Sequence, residues 1–164
     1  SLLKVLPLSV VDEVIEKRIT LTPGGRELVA TMRARGAYTA LVSGGFTVFT
    51  NPIASRIGFD ENRANVLIAR DGVLTGEVAE PILGKQAKVD ALIDISTRLG
   101  IDTSEALAVG DGANDLGMIK LAGSGVALHA KPVVAAEAGI RIDHGDLTAL
   151  LYIQGYRKTD FVTP

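Results

Sequence analysis

Four apolar residues, Ala106 to Val109, run directly into Gly110-Asp111-Gly112-Ala113-Asn114-Asp115, and a helical pattern from Leu116 to Ala122 follows at once. A short run that is apolar throughout needs cover on both faces, which a parallel sheet between helices supplies. The carboxylates of Asp111 and Asp115 then stand at the carboxyl edge of that sheet, where open α/β folds bind ligands. Oxygen ligands of this kind suit a hard cation, since Mg²⁺ is usually held by one or two carboxylates together with waters and a substrate phosphate. A competing reading makes Asp115 the N-cap of the following helix and Asp111 a residue of a glycine-rich turn.

From about residue 20 onward, short apolar runs alternate with amphipathic segments, the pattern of βα units around a parallel sheet. Thr22 and Pro23 read as an N-cap and first-turn pair, Leu28, Val29 and Met32 as the buried stripe of a helix, and Gly36 as its stop before a strand from Tyr38 to Val42. A turn at Ser43-Gly44-Gly45 leads into a helical segment from Phe46 to Ile57, with Pro52 either kinking it or restarting it from Asn51, and Gly58 ending it. Asp71-Gly72, between Val66–Ala69 and Val73–Val78, supplies the positive φ angles of a tight hairpin. The parallel pattern resumes with a helix from Lys85 to Leu99 that buries Val89, Leu92, Ile93 and Ser96. After the Asp111 turn come a strand at Gly125–Leu128, a helix at Val133–Ala138, a strand at Ile140–Ile142 and a last helix near Leu147–Ile153. The tail from Tyr156 to Pro164 reads as frayed.

The first 18 residues differ. Ser9 caps a helix whose stripe of Val10, Val11, Val14 and Ile15 has no obvious partner in the sequence. Either it packs back on the same domain or it is the remnant of a second, helical subdomain.

With 164 residues, 47% of them hydrophobic and 22% charged, the chain is one domain's worth and suffices for a buried core. A formal charge of −2 leaves no basic stripe for a nucleic acid, and no apolar run approaches the length of a bilayer span. Zero cysteine excludes disulfides and thiolate metal sites. With no leader visible, the expected location is the cytoplasm.

Two more elements carry chemistry. Ser43-Gly44-Gly45 lies after an apolar strand and before a helix, where a hydroxyl and successive backbone amides can converge on a phosphoryl oxygen, although Ser and Gly are also the default turn formers. Lys88 falls in the first turns of the helix that feeds the Asp111 strand, with Lys85 as its rival. His129 and His144 have no acid or second histidine at useful spacing and read as turn or surface residues, and capping accounts for Asp143 and Asp146.

The elements Ser43-Gly44-Gly45-Phe46, Ala87-Lys88 and Gly110-Asp111-Gly112-Ala113-Asn114-Asp115, in that order, resemble the haloacid dehalogenase superfamily of phosphohydrolases, and within it the phosphoserine phosphatase family. Leu6-Pro7, Arg18-Ile19-Thr20 and Ala130-Lys131-Pro132 are similar to it too. The resemblance implies a Rossmann-like parallel sheet flanked by helices, with a β-hairpin insertion and a helical cap. It implies Mg²⁺-dependent hydrolysis of O-phospho-serine to serine and phosphate, the last step of serine biosynthesis, through an aspartyl phosphate. Ser43 and the Gly44 amide would bind the phosphoryl group, and Lys88 would stabilise the charge of nucleophile and phosphate. Asp111 would ligate Mg²⁺, Asp115 would orient the metal shell from behind, and Asn114 would contact phosphate or substrate. A doubly charged phosphate beside a carboxylate nucleophile independently requires a cation such as Lys88.

One departure stands out. The family's first motif, Asp-x-Asp-x-Thr, supplies the nucleophile and the general acid, and no Asp-x-Asp occurs in these residues. The expectation is that it lies in a segment upstream of Ser1, that residues 1–18 are the end of the cap and 19–164 the core lacking its first strand, and that the chain alone is inactive. The other readings are a phosphatase for another small metabolite and a non-catalytic module that binds Mg²⁺, an anion, or a partner completing the sheet; apart from these, a homodimer is an expected partnership. A cation-transport ATPase domain shares the Gly-Asp-Gly element but comes with a different second motif and membrane spans.

Overall fold

The structure, a computed structural model, describes residues 5–164. Of the expected cap stretch, residues 1–18, positions 1–4 lie outside the described residues. Its contacts gather into two compact units, one running to Ile82 and including Leu150–Pro164, the other Leu83–Ala149.

In the first unit, α1 (Leu8–Arg18) is followed by α2 (Gly25–Ala34), β1 (Ala40–Phe46), α3 (Thr47–Ile57), β2 (Glu61–Asn65) and the hairpin strands β3 (Leu67–Arg70) and β4 (Val73–Val78). The α1 stripe is not unpartnered: Val11 and Ile15 are buried in one cluster with Leu67 and Leu74 of the hairpin, and Val10 and Val14 face outward. Residues ahead of α1 run antiparallel to β4, with backbone bonds from Val5 to Leu74 and from Leu74 to Leu6, so the helix is anchored by the strand it covers. Helix α2 starts two residues later than Thr22-Pro23 suggests. Pro23 and Gly24 are the central residues of a type II turn, closed by Gly25 N to Thr22 O at 3.1 Å, and Gly24 at φ 80° is the N-cap. Pro52 stays inside α3 without restarting it, and Gly58 terminates the helix in the left-handed region.

Strand β1 begins two residues later than Tyr38 and continues through Ser43-Gly44-Gly45. It pairs in parallel with β2, a strand whose sequence Glu61-Asn-Arg-Ala-Asn65 carries no apolar alternation and gives no sequence signal. Side chains hold β2 instead. Buried Thr50 donates to Asn62 Oδ1 at 2.7 Å, and Tyr38 to Glu61 at 2.9 Å. The hairpin is as expected, with Asp71 and Gly72 both at positive φ. The tail is ordered rather than frayed: the Val162 amide donates to Thr31 Oγ1 at 2.8 Å, which satisfies a fully buried hydroxyl, and Phe161 packs on Tyr152.

The second unit contains α4 (Lys85–Leu99), β5 (Leu107–Gly110), α5 (Leu116–Leu121), β6 (Ser124–Leu128), α6 (Pro132–Glu137) and β7 (Ile140–Ile142), and α7 (Ala149–Ile153) begins at its last residue. β5, β6 and β7 form a parallel three-stranded sheet in that order. Central β6 buries Val126 and Ala127 completely, and Ile119, Ala127 and Val134 form the core between strand and helices. Helix α4 has the expected ends and buries Ser96 as expected, but it also buries Ala91, and Ile93 is 46% exposed. Parallel sheets flanked by helices, with a hairpin in the first unit, are the expected fold class. Among the described residues no helix is long and apolar enough to cross a membrane.

Candidate active site

Lys88, the fourth residue of α4, faces the loop that follows β5. Its ammonium bonds Asp115 Oδ1, and the two side chains are only 12% and 6% exposed. Lys85 is exposed, so the rivalry resolves in favour of Lys88. The other oxygen, Asp115 Oδ2, accepts the amides of Asp111 at 3.0 Å and Gly112 at 3.1 Å. Asp115 stands at the N-cap position of α5, but its side chain makes no capping bond to that helix; it turns back and ties down the loop that carries Asp111.

Two glycines make this possible. A Cβ on Gly110 would overlap the Asp115 side chain, and one on Gly117 would come within 2.7 Å of Val89 Cγ2 on α4. The first lets the carboxylate fold under the loop, and the second lets α5 approach the helix that carries Lys88. Burial pushes the Asp115 carboxyl up, but the Lys88 hydrogen bond, the Gly112 and Asp111 amides and the Lys88 charge together outweigh it and hold the group below the usual carboxylate range.

The loop presents its remaining polar groups outward. Asp111 and Asn114 are exposed, and the Asp111 carbonyl accepts the Lys131 amide at 3.2 Å, which fastens the far side of the loop. Asp111 thus offers a carboxylate on a backbone fixed at both ends. Among the described residues no three His, Cys, Asp or Glu side chains are grouped to hold a metal. A single exposed carboxylate fits the share of a Mg²⁺ shell that one side chain contributes, with other oxygens still needed.

Ser43 and Gly44 belong to the first unit. Ser43 Oγ accepts the Gly45 amide at 3.0 Å, and Gly44 is exposed. The sequence gives no hint of Asn65, a buried side chain whose Nδ2 donates to the Gly44 carbonyl at 3.1 Å, because the strand that delivers it is itself without a sequence signal. Lys88, Asp111 and Asp115 are brought together in the second unit, with Asn114 on the same loop. His129 and His144 are exposed as expected, Asp146 caps the Thr148 amide at 2.8 Å, and Asp143 pairs with Arg141 rather than capping.

The haloacid dehalogenase-like hydrolase family matches residues 2–120. A phosphoserine phosphatase of Methanocaldococcus jannaschii is 44% identical over 92% of this chain, which spans 71% of that protein. The solved structure of a probable phosphoserine phosphatase of Vibrio cholerae superimposes with a TM-score of 0.89 at 37% identity over 93% of this chain, which spans 47% of that one. A solved phospho-aspartyl intermediate analogue of phosphoserine phosphatase gives a TM-score of 0.84 at 42% identity, covering 93% of this chain and 72% of the other. The chain thus spans between about half and about seven tenths of these three proteins.

Proposed function

The chain belongs to the haloacid dehalogenase-like hydrolase family, and from that membership we propose that it is the carboxyl-terminal portion of a phosphoserine phosphatase, which hydrolyses O-phospho-serine to serine and phosphate as the last step of serine biosynthesis in the cytoplasm. The observation that carries the proposal is the buried Lys88–Asp115 pair, which braces the exposed Asp111 on a loop of fixed backbone. The names of the relatives support the substrate, and the phospho-aspartyl analogue supports the type of intermediate.

In this reading Asp111 contributes a carboxylate to Mg²⁺, with Asp115 fixing its backbone from behind. Bound there, Mg²⁺ supplies positive charge that offsets the phosphate oxygens and orients the phosphoryl group. Lys88 spends one of its three N–H donors on Asp115 and offers the others to phosphate and nucleophile, lowering the cost of bringing two anions together. Ser43 and the Gly44 amide take phosphoryl oxygens, and Asn114 contacts phosphate or substrate. The attacking carboxylate and the acid that protonates the departing serine hydroxyl come from an Asp-x-Asp segment that these 164 residues do not contain. Residues up to Arg18 are assigned to the end of the cap in the same proposal.

Phosphate release from O-phospho-serine in the presence of Mg²⁺ tests it. The 164 residues alone are expected to release none, and the longer protein that contains them is expected to be active. In that protein Lys88→Ala is expected to lower kcat by on the order of 10²–10³-fold, the usual loss when one fixed donor to a developing charge is removed. Full activity of the 164 residues alone refutes the missing nucleophile, and a longer protein that cleaves other small phosphomonoesters but not phospho-serine refutes the substrate.

A further inference from the structure

The Ser43-Gly44-Gly45 segment breaks the ladder it belongs to. Between paired positions, β1 advances from Val42 to Phe46 while β2 advances only from Arg63 to Asn65, so residues 43–45 step out of register. Asn65, the last residue of β2, closes the gap with its side chain: it is 6% exposed, and its Nδ2 donates to the Gly44 carbonyl at 3.1 Å. At the other end of the same peptide unit, the Gly45 amide donates to Ser43 Oγ at 3.0 Å. Both polar ends of the Gly44–Gly45 peptide are therefore gripped by side chains. Two consecutive glycines have no Cβ to limit their backbone, so without such grips this peptide plane is the freest in the strand.

We infer that Asn65 is a positioning residue for phosphate binding. By holding the Gly44 carbonyl it fixes the Gly44–Gly45 peptide plane and sets the Gly45 amide on Ser43 Oγ. A serine hydroxyl has one hydrogen and two lone pairs. With a lone pair occupied by Gly45, the Ser43 hydrogen points to a different sector and is available to a phosphoryl oxygen beside the Gly44 backbone. The inference rests on the reading of Ser43 and Gly44 as phosphate ligands. It adds a residue to that reading which none of the expected motifs contains, and it assigns the strand β2 a purpose beyond pairing.

Asn65→Asp tests it in the longer protein, because the change keeps the shape and replaces the donor with an acceptor that repels the Gly44 carbonyl. Two quantities are measured: steady-state kinetics of phosphate release from O-phospho-serine between pH 5 and 8, and hydrogen exchange of the Gly45 amide. At the alkaline end kcat/KM is expected to fall by on the order of tenfold to a hundredfold, the scale of a misplaced binding group. The deficit is expected to shrink as the pH falls, since a protonated carboxyl regains an O–H donor. Gly45 exchange is expected to quicken by about tenfold or more. Asn65→Ser, which keeps a donor of shorter reach and is expected to lose less, serves if the first variant does not fold.

Kinetics that match the wild type across the pH range overturn the inference, whether or not the unfolding midpoint drops, because lowered stability alone marks a merely structural asparagine. If the wild-type protein does not cleave phospho-serine, the phosphatase reading falls, and Gly45 exchange then decides for Asn65. Unchanged exchange overturns the hold of Asn65 on the Gly44–Gly45 peptide, and faster exchange upholds that hold while its role in phosphate binding falls with the reading it rests on.

Discussion

Asp115 receives three hydrogen bonds on two oxygens, from Lys88, Asp111 and Gly112, while 4% exposed. A buried pair of this kind adds little over an apolar substitute, but breaking it by removing one partner typically costs about 3–5 kcal/mol, because the survivor is left uncompensated. The carboxyl titrates below its ordinary range in the folded protein and near pH 4 in the unfolded chain. Its stabilisation is thus complete above about pH 4 and is lost as the pH falls through the lower folded value. Asp115→Asn is therefore expected to cost about 3 kcal/mol in urea unfolding at pH 7, with the gap to wild type narrowing in acid. A gap that stays constant down to pH 2 rules out the ion pair as its source. The sequence announced both acids and Lys88, but not which partner each takes. The space a Cβ would take at Gly110 is filled by Asp115 itself.

Among elements, legibility tracks whether burial is periodic. Helix α4 ends where Lys85 and Gly100 suggest and the Asp71-Gly72 hairpin where its dipeptide suggests, because capping and turn chemistry are local. Strand β2 escapes because its partners are distant: the β1 backbone, Thr50 and Tyr38 hold it, not an apolar face. The tail escapes for the same reason, as Val162 meets Thr31 across most of the chain. Helix α1 lies between these cases, its stripe visible and its partner not. Ile15, 3% exposed against Leu67 and Leu74, is expected to cost about 2–4 kcal/mol as Ile15→Ala, while Val10→Ala, on the exposed side, stays within about 0.5 kcal/mol. Thermal unfolding of both variants checks this. Equal effects detach α1 from the hairpin and restore the reading of its stripe as an unpartnered surface.

For the molecule as a whole, charge balance limits what these residues do by themselves. Lys88 and Asp115 cancel, which leaves Asp111 as the carboxylate the loop turns outward, and no group of three metal-binding side chains accompanies it among the described residues. Mg²⁺ gives up its waters reluctantly, and only when several well-placed oxygens replace them, so one carboxylate leaves most of its shell to solvent. A ligand that binds the folded state at a concentration near its dissociation constant adds RT ln 2, about 0.4 kcal/mol, whereas a hundredfold excess adds about 2.7 kcal/mol. If two further aspartates from an Asp-x-Asp segment complete the site, 10 mM Mg²⁺ is expected to leave the unfolding midpoint of the 164 residues within about 1 °C and to raise that of the longer protein by several degrees. Asp111→Asn is expected to abolish the rise in the longer protein without removing the fold, since Asp111 is exposed and its backbone is held by others. A large Mg²⁺ shift in the 164 residues alone, persisting in Asp111→Asn, places the cation elsewhere and removes the loop after β5 from the metal chemistry.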